Sequence, residues 1–331
     1  MPLLNEDNTP GPVSKSGSMP KPGSMEEILR RAVEREAPGA RTILPAGGKK
    51  GLFENCTNPE CRSGWLQLWR SRHQPVFEGG WTCSPECMAA RVSTAVVREM
   101  KGRPTEAAES RAPHRHRIPL GLLMMEQGWI TASQLRGALE SQRKHGTGRL
   151  GSWLVKQQGV SEAQVTRALG LQWSCPVLHI GPRHEPARMA PLVPRLFIDA
   201  FGALPLRLAA GRLLYLAFED RLDPVLALAL ERMTGLKVES GVVAASEFTS
   251  AQEQMLAARY PETELVEAAS AQAAARVLAR SIERVKPAWS RLVRVHEFLW
   301  LRMGKRAAEA DVPAMAAVDS VEDTICTVAG A

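Results

Sequence analysis

The sequence predicts a multidomain α+β protein in which a small zinc finger, a helical tandem-repeat bundle and a small α/β subdomain follow one another. Three observations predict it: two close cysteine pairs between residues 51 and 100, a helical pattern that repeats itself between Ile118 and Trp173, and a change after Trp173 to strand and helix signals in the order ββαβα. With 331 residues, 44% hydrophobic and 23% charged, the chain can bury more than one core. The formal charge of +7, carried mostly by arginine, favours anionic ligands or acidic partner surfaces.

Residues 1–50 read as a flexible leader, because Pro10, Pro12, Pro20 and Pro22 stand among Gly and Ser. Within it, Ser24 and Glu27 form a capping-box pattern for a short helix over Met25 to Glu36. Asn5, Glu6 and Asp7 follow directly on Met1 to Leu4, so no cationic segment leads into an apolar one. Apolar runs such as Val225 to Leu230 fall far short of the ~20 residues that cross a bilayer. No membrane insertion and a cytoplasmic location are therefore expected.

In residues 51–100, Cys56 and Cys61 form one pair and Cys83 and Cys87 the other. Each pair can place two thiolates on one ion, and four thiolates suit a tetrahedral, structural Zn²⁺ with no open position. Asn58-Pro59 favours a tight knuckle, Trp65 to Trp69 a strand, Gly79-Gly80 a turn, and Ser84-Pro85 the start of a helix carrying Cys87. This order resembles a treble-clef zinc finger. Reduced packing thiols or two disulfides are the alternatives, and disulfides are disfavoured without an export signal. His73 reads as a solvated loop residue, and Cys175 and Cys326 as ordinary thiols. Residues 101–117, ending in His114-Arg115-His116-Arg117, read as a basic linker.

The segment 118–173 is a tandem-motif helical subdomain. Arg149-Leu150-Gly151 stands thirty residues after Pro119-Leu120-Gly121, and the register holds: Met124 answers Leu154, Thr131 answers Ser161, Leu135 answers Val165, Ala138 answers Ala168 and Gln142 answers Gln172. Each unit reads as helix, turn and helix. Gly128 and Gly159 mark the turns, and Thr131 with Gln134, then Ser161 with Gln164, make capping boxes. Two halves related by a pseudo-two-fold follow from this.

Residues 174–260 read as the α/β subdomain. A short helix is expected at Pro194 to Phe201, strands at Ala203 to Ala209 and Arg212 to Phe218 joined at Ala210-Gly211, an Asp223-capped helix ending at Gly235, a strand from Lys237 to Ala244, and a helix from Ser246 to about Arg259. The tail, residues 261–331, reads as helical from Glu262 to about Val285. The stretch Arg291 to Met303, with Val293, Val295, Leu299 and Leu301 on one parity, is compatible with strand or helix.

The paired units resemble the tandem motif of the MshEN family, the amino-terminal domain of GspE-type secretion and pilus ATPases, and the resemblance spans about residues 117–260. It implies binding of cyclic di-GMP, one guanine half to each motif, by Leu120, Gly121 and Gln142 in the first unit and Arg149, Leu150, Gly151 and Gln172 in the second. Pro119 stands where the family has arginine, Gln158 where it has glycine, and the spacer Arg143 to Gly148 is one residue longer. Arg117 reaches toward the first motif from upstream. The chemistry is consistent, since arginine can donate to guanine O6 and N7, and glycine admits close approach.

No Gly-x4-Gly-Lys-Ser/Thr phosphate loop occurs; Ala46 to Gly51 has neither the spacing nor the hydroxyl. The expectation is a non-enzymatic adaptor related to the secretion and pilus machinery, with cyclic di-GMP and machinery proteins as partners. A ligand-free protein scaffold and a zinc-finger DNA-associated regulator are the alternatives, and nucleic acid is the least expected partner. His179, His184 and His296 form no catalytic constellation with their sequence neighbours, and Asp199, Glu219 and Asp220 read as caps or surface charges.

Overall fold

The computed structural model describes residues 56–61, 75–101, 117–181, 184–306 and 317–329. The helix expected at Met25 to Glu36, the strand at Trp65 to Trp69, His73 and the linker up to His116 lie outside the described residues.

A hairpin of β1 (Val76–Phe77) and β2 (Gly80–Trp81) leads into helix α1 (Pro85–Lys101). Glu78 and Gly79 both take positive φ in its two-residue turn, the geometry that matches strand twist. Helices α2 (Leu120–Glu126), α3 (Ala132–His145), α4 (Leu150–Gln158) and α5 (Glu162–Trp173) form the repeat. Both capping boxes are present, with Thr131 accepting from Gln134 N and Ser161 from Gln164 N, and the Gln side chains returning the bond. Gly159 ends α4 in the left-handed conformation. Helix α2 stops two residues before the expected Gly128, which is also left-handed. The core of this subdomain is built from equivalent pairs: Met124 and Leu154, Ile130 and Val160, Ala138 and Ala168.

Next come α6 (Pro186–Met189), α7 (Arg195–Phe201), β3 (Ala203–Ala209), β4 (Leu213–Phe218), α8 (Pro224–Thr234), β5 (Lys237–Val242) and α9 (Ala245–Leu256). The expected ββαβα order is present. The sheet runs β3-β4-β5, antiparallel then parallel. Asp223 caps α8 by accepting from Val225 N and Leu226 N at 3.0 Å, and Gly235 closes it.

The tail departs from its reading. Residues Glu262–Ala268 form strand β6, and α10 begins only at Ala271, capped by Ser270, to end at Val285. The acidic, apparently helical start of this segment is extended because β9 (Val321–Val328) pairs with it in parallel, a partner too remote in sequence for local propensity to foresee. Between them, β7 (Trp289–Val295) and β8 (Phe298–Gly304) form a hairpin, so the undecided stretch is two strands. The common parity of its apolar residues does not survive the turn: Val293 and Val295 face the α/β core, while Leu299 and Leu301 face α10.

The resulting sheet, ordered β6-β9-β8-β7, packs against other elements on both faces. One packs against α10 and α1, through Met88, Val92 and Val96 of α1 with Leu278 and Ile282 of α10. The other, carrying Trp300 and Ile325, joins the core of the α/β subdomain. Helix α1 is thereby part of a layer whose other members lie far along the chain. Its Glu99 is buried and accepts from Arg232 of α8 at 2.6 and 2.9 Å, from Arg98 at 3.0 Å and from Arg294 N at 3.2 Å. Burial alone raises the Glu99 carboxyl, but these cations outweigh it and hold it below the usual carboxylate range.

Candidate functional site

The four cysteines converge. Their Sγ atoms all lie within 4.8 Å of one another, with Cys61 to Cys83 at 3.3 Å and Cys83 to Cys87 at 3.6 Å. Ligands ~2.3 Å from a zinc ion stand ~3.8 Å apart at tetrahedral angles, so the donor set fits a metal of that kind. The knuckle is made locally: Cys61 N donates to Asn58 O at 3.0 Å and Glu60 N to Asn58 Oδ1 at 3.2 Å. Thr57 N donates to Trp81 O at 3.1 Å, fastening the knuckle to β2, and Cys83 N donates to Cys56 Sγ at 3.4 Å. Cys87 sits in the first turn of α1, where Ser84 Oγ accepts from its amide. Burial pushes the Cys56 thiol up to about 12, so thiolates this close need a cation to hold their charge.

The residues of the two motifs also come together, in a crossed arrangement. Gln142 Nε2 of the first unit donates to Gly148 O at 2.9 Å, just before the second motif, and Gln172 Nε2 of the second donates to Ile118 O at 2.7 Å, just before the first. Each unit's last glutamine thus holds the start of the other motif. Gly121 and Gly151 are buried for matching reasons: a Cβ would stand 2.5 Å from Leu135 Cδ1 at the one and 2.7 Å from Val165 Cγ1 at the other. Leu120 reaches the Gly151 position, and Leu120 and Leu150 both pack on the repeat core.

The arginines converge on the loop after β4. Arg149 pairs with Glu219, and its Nε lies 3.0 Å from Asp220 Oδ2. The guanidinium of Arg117 lies 3.3 Å from the centre of the Trp173 ring, and Trp173 Nε1 donates to Asp220 O at 2.7 Å. Burial, then the nearby charge of Arg221, lowers the Arg117 pKa. Among the described residues no carboxylate pairs with Arg117, whereas Arg149 is engaged by Glu219 and Asp220. Sequence reasoning missed Glu219 and Asp220, which it read as surface charges, and it missed Trp173. The only signal for them was position, directly after a strand that the fold brings under the repeat.

A second link leaves the same loop. His296, at the tip of the β7–β8 hairpin with φ of 51°, lies 2.7 Å by Nε2 from Asp223 Oδ2. The hydrogen bond to Asp223 raises the His296 pKa above its ordinary value, against burial. Burial raises the Asp223 carboxyl, but His296 and the α8 amides outweigh it and the net shift is downward.

Comparison with known proteins places part of this chain. Residues 173–261 match the family model of the MshEN domain, the segment that follows the two motif units. The type IV pilus assembly ATPase PilB of Myxococcus xanthus (strain DK1622) is 29% identical over 145 residues, which are 44% of this chain and 25% of that protein. Bacteriophage adsorption protein B of Escherichia coli (strain K12) is 34% identical over 125 residues, 38% of this chain and 16% of that protein. The chain thus spans a quarter or less of the length of these curated relatives. Among solved structures, MshE with cdg is 26% identical, covering 42% of this chain and 99% of that one with a TM-score of 0.35. The amino-terminal domain of XpsE is 21% identical, covering 44% and 94%, with a TM-score of 0.28. Among the described residues, no helix is long and apolar enough to cross a membrane.

Proposed function

We propose that this chain is a non-enzymatic cytoplasmic adaptor, related to the amino-terminal module of secretion and pilus ATPases, that takes cyclic di-GMP on its motif face and a structural zinc ion in its cysteine cluster. The observation that carries the nucleotide reading is the crossed pair of glutamine bonds, which holds the two motif starts as equivalent halves. A two-fold-symmetric dinucleotide suits such a site. Arg149 and Arg117 supply cationic groups beside one loop, and arginine recognises phosphate and the guanine edge through the same planar fork. The absence of a phosphate-loop motif supports a binding role for this chain rather than nucleotide hydrolysis.

Titration calorimetry with cyclic di-GMP tests the reading. Binding is expected, and loss of either arginine should weaken it by about 1–3 kcal/mol, with helicity of each variant checked first. One observation favours a ligand-free scaffold instead: Glu219 and Asp220 already occupy Arg149. A wild type that stays unbound at millimolar ligand decides for the scaffold.

A further inference from the structure

The sheet of β6 to β9 treats its two edges differently. At β7 the hairpin closes the edge: Val76 N donates to Pro287 O at 3.0 Å, Glu78 N to Ser290 O at 2.9 Å, and Ser290 Oγ to Val76 O at 2.7 Å. At β6 the outer backbone groups have no partner among the described residues. One cross-strand row shows what this leaves open. Val293 pairs with Trp300, Trp300 with Ile325 and Ile325 with Leu265. The first three are at most 2% exposed, whereas Leu265 is 63% exposed. An apolar row that is buried across three strands therefore runs out into solvent on the fourth.

We propose that β6 is a docking edge for an extended, cationic segment of a partner protein, added as a further strand beside it. An apolar side chain of that segment would cover Leu265, and Lys or Arg would lie beside Glu262 and Glu267. An unpaired edge supplies main-chain donors and acceptors for strand addition, and alternate side chains supply selectivity. The charge of the edge selects the occupant. Three of the seven residues of β6 are glutamates, and among the described residues only Glu264 has a cation, Arg284, which it shares with Glu322. A second copy is disfavoured because two paired β6 strands would set six carboxylates in adjacent ladders. Charge is a usual defence of a bare edge, but a defended edge does not keep its most exposed large apolar side chain at the centre. The proposal draws on the adaptor reading only for the existence of a protein partner, and it is independent of whether the repeat takes a nucleotide.

The test uses the full chain and a blocked, labelled decapeptide of lysines around one central valine, so that the added strand carries lysine on both of its faces. The β6 amides that face outward should exchange rapidly in dilute protein and become protected when the peptide is added. The paired substitution Glu262→Lys with Glu267→Lys should weaken peptide binding by about tenfold or more, equivalent to about 1.4 kcal/mol, and should let the same peptide with glutamate in place of each lysine bind instead. Equal binding by a lysine–valine peptide N-methylated at alternate amides would refute strand addition, since that peptide keeps the charge but cannot complete the ladder. Protection of β6 already in dilute monomer would show the chain covering its own edge. A concentration-dependent dimer abolished by Leu265→Asp would assign the edge to a second copy. Either result overturns the proposal, as does absence of peptide binding. Titrating the same proteins with cyclic di-GMP reads the nucleotide proposal separately.

Discussion

Replacing Asp323 by Asn should be among the most damaging single-atom changes available to this protein. Asp323 is fully buried at the interface between the C-terminal sheet and the α/β core. Its Oδ1 accepts from Trp300 Nε1 and Arg302 Nε, each at 2.8 Å, and its Oδ2 from Arg302 Nη2 at 2.8 Å. An amide keeps one acceptor oxygen but presents an NH2 group where the second oxygen stood, so a donor faces a donor whichever way it is turned. It also leaves the guanidinium of Arg302, itself 5% exposed, without its counter-charge. Breaking one side of a buried pair costs about 3–5 kcal/mol, whereas exchanging both partners for apolar residues is often near neutral. Asp323→Asn is therefore expected to lose about 3–5 kcal/mol in urea unfolding followed by tryptophan fluorescence and circular dichroism. The double variant Arg302→Met with Asp323→Leu should recover part of that loss, the remainder being the Trp300 indole N–H and the Leu192 carbonyl left without their partners. A single-variant loss below about 1 kcal/mol, or losses that simply add in the double variant, would refute the argument.

Other outcomes follow from the same geometry. Cys83→Ser should abolish metal content by elemental analysis and also raise hydrogen exchange along α1 and β7 while leaving the repeat protected; loss confined to the knuckle would contradict the shared layer. The His296–Asp223 pair should stabilise the fold within a defined pH window. A raised His296 pKa makes its contribution complete below the ordinary histidine value of about 6.5 and lost as pH rises through the folded value, while the lowered Asp223 pKa makes its own contribution complete above about 3.9 and lost on acidification through its folded value. His296→Ala should accordingly destabilise more at pH 5.5 than at pH 8.5, and equal losses would sink that assignment. If the proposed nucleotide site exists, Pro119→Arg, which makes the first motif match the Arg149-Leu150-Gly151 of the second, should tighten cyclic di-GMP binding in calorimetry, with no gain counting against a two-motif site.

What could be read in the sequence was what lies within one supersecondary unit. The capping boxes at Thr131 and Ser161, the repeat register, the Asp223 cap and the two cysteine pairs that cluster all depend on residues a few positions apart or on a period, and each has a local chemical signature. What could not be read depends on remote partners. Strand β6 is extended because β9 lies beside it, and Glu262, Glu264 and Glu267 give no strand signal of their own. Arg149 is identifiable as a motif residue, but its engagement by Glu219 and Asp220 is set by how β4 delivers its loop to the repeat. Likewise, Met88, Val92 and Val96 mark an apolar face on α1 without indicating that α10 covers it.

The layer formed by α1, α10 and the C-terminal sheet has a consequence for biosynthesis. Everything from Leu120 to Leu256 is, topologically, an insertion between α1 and the rest of that layer. At synthesis rates of about 5–20 residues per second, α1 waits roughly ten to forty-five seconds between its own completion and that of β9. Until α10 is made, which is most of that interval, Met88, Val92 and Val96 have no native cover. A metal bound early at the knuckle can fix the start of the helix but cannot bury its apolar side. The nascent chain should therefore be a chaperone client until α10 and the strands beneath it are made, and truncation just before Val321, which removes β9 from the middle of that sheet, should yield aggregation rather than a smaller folded protein.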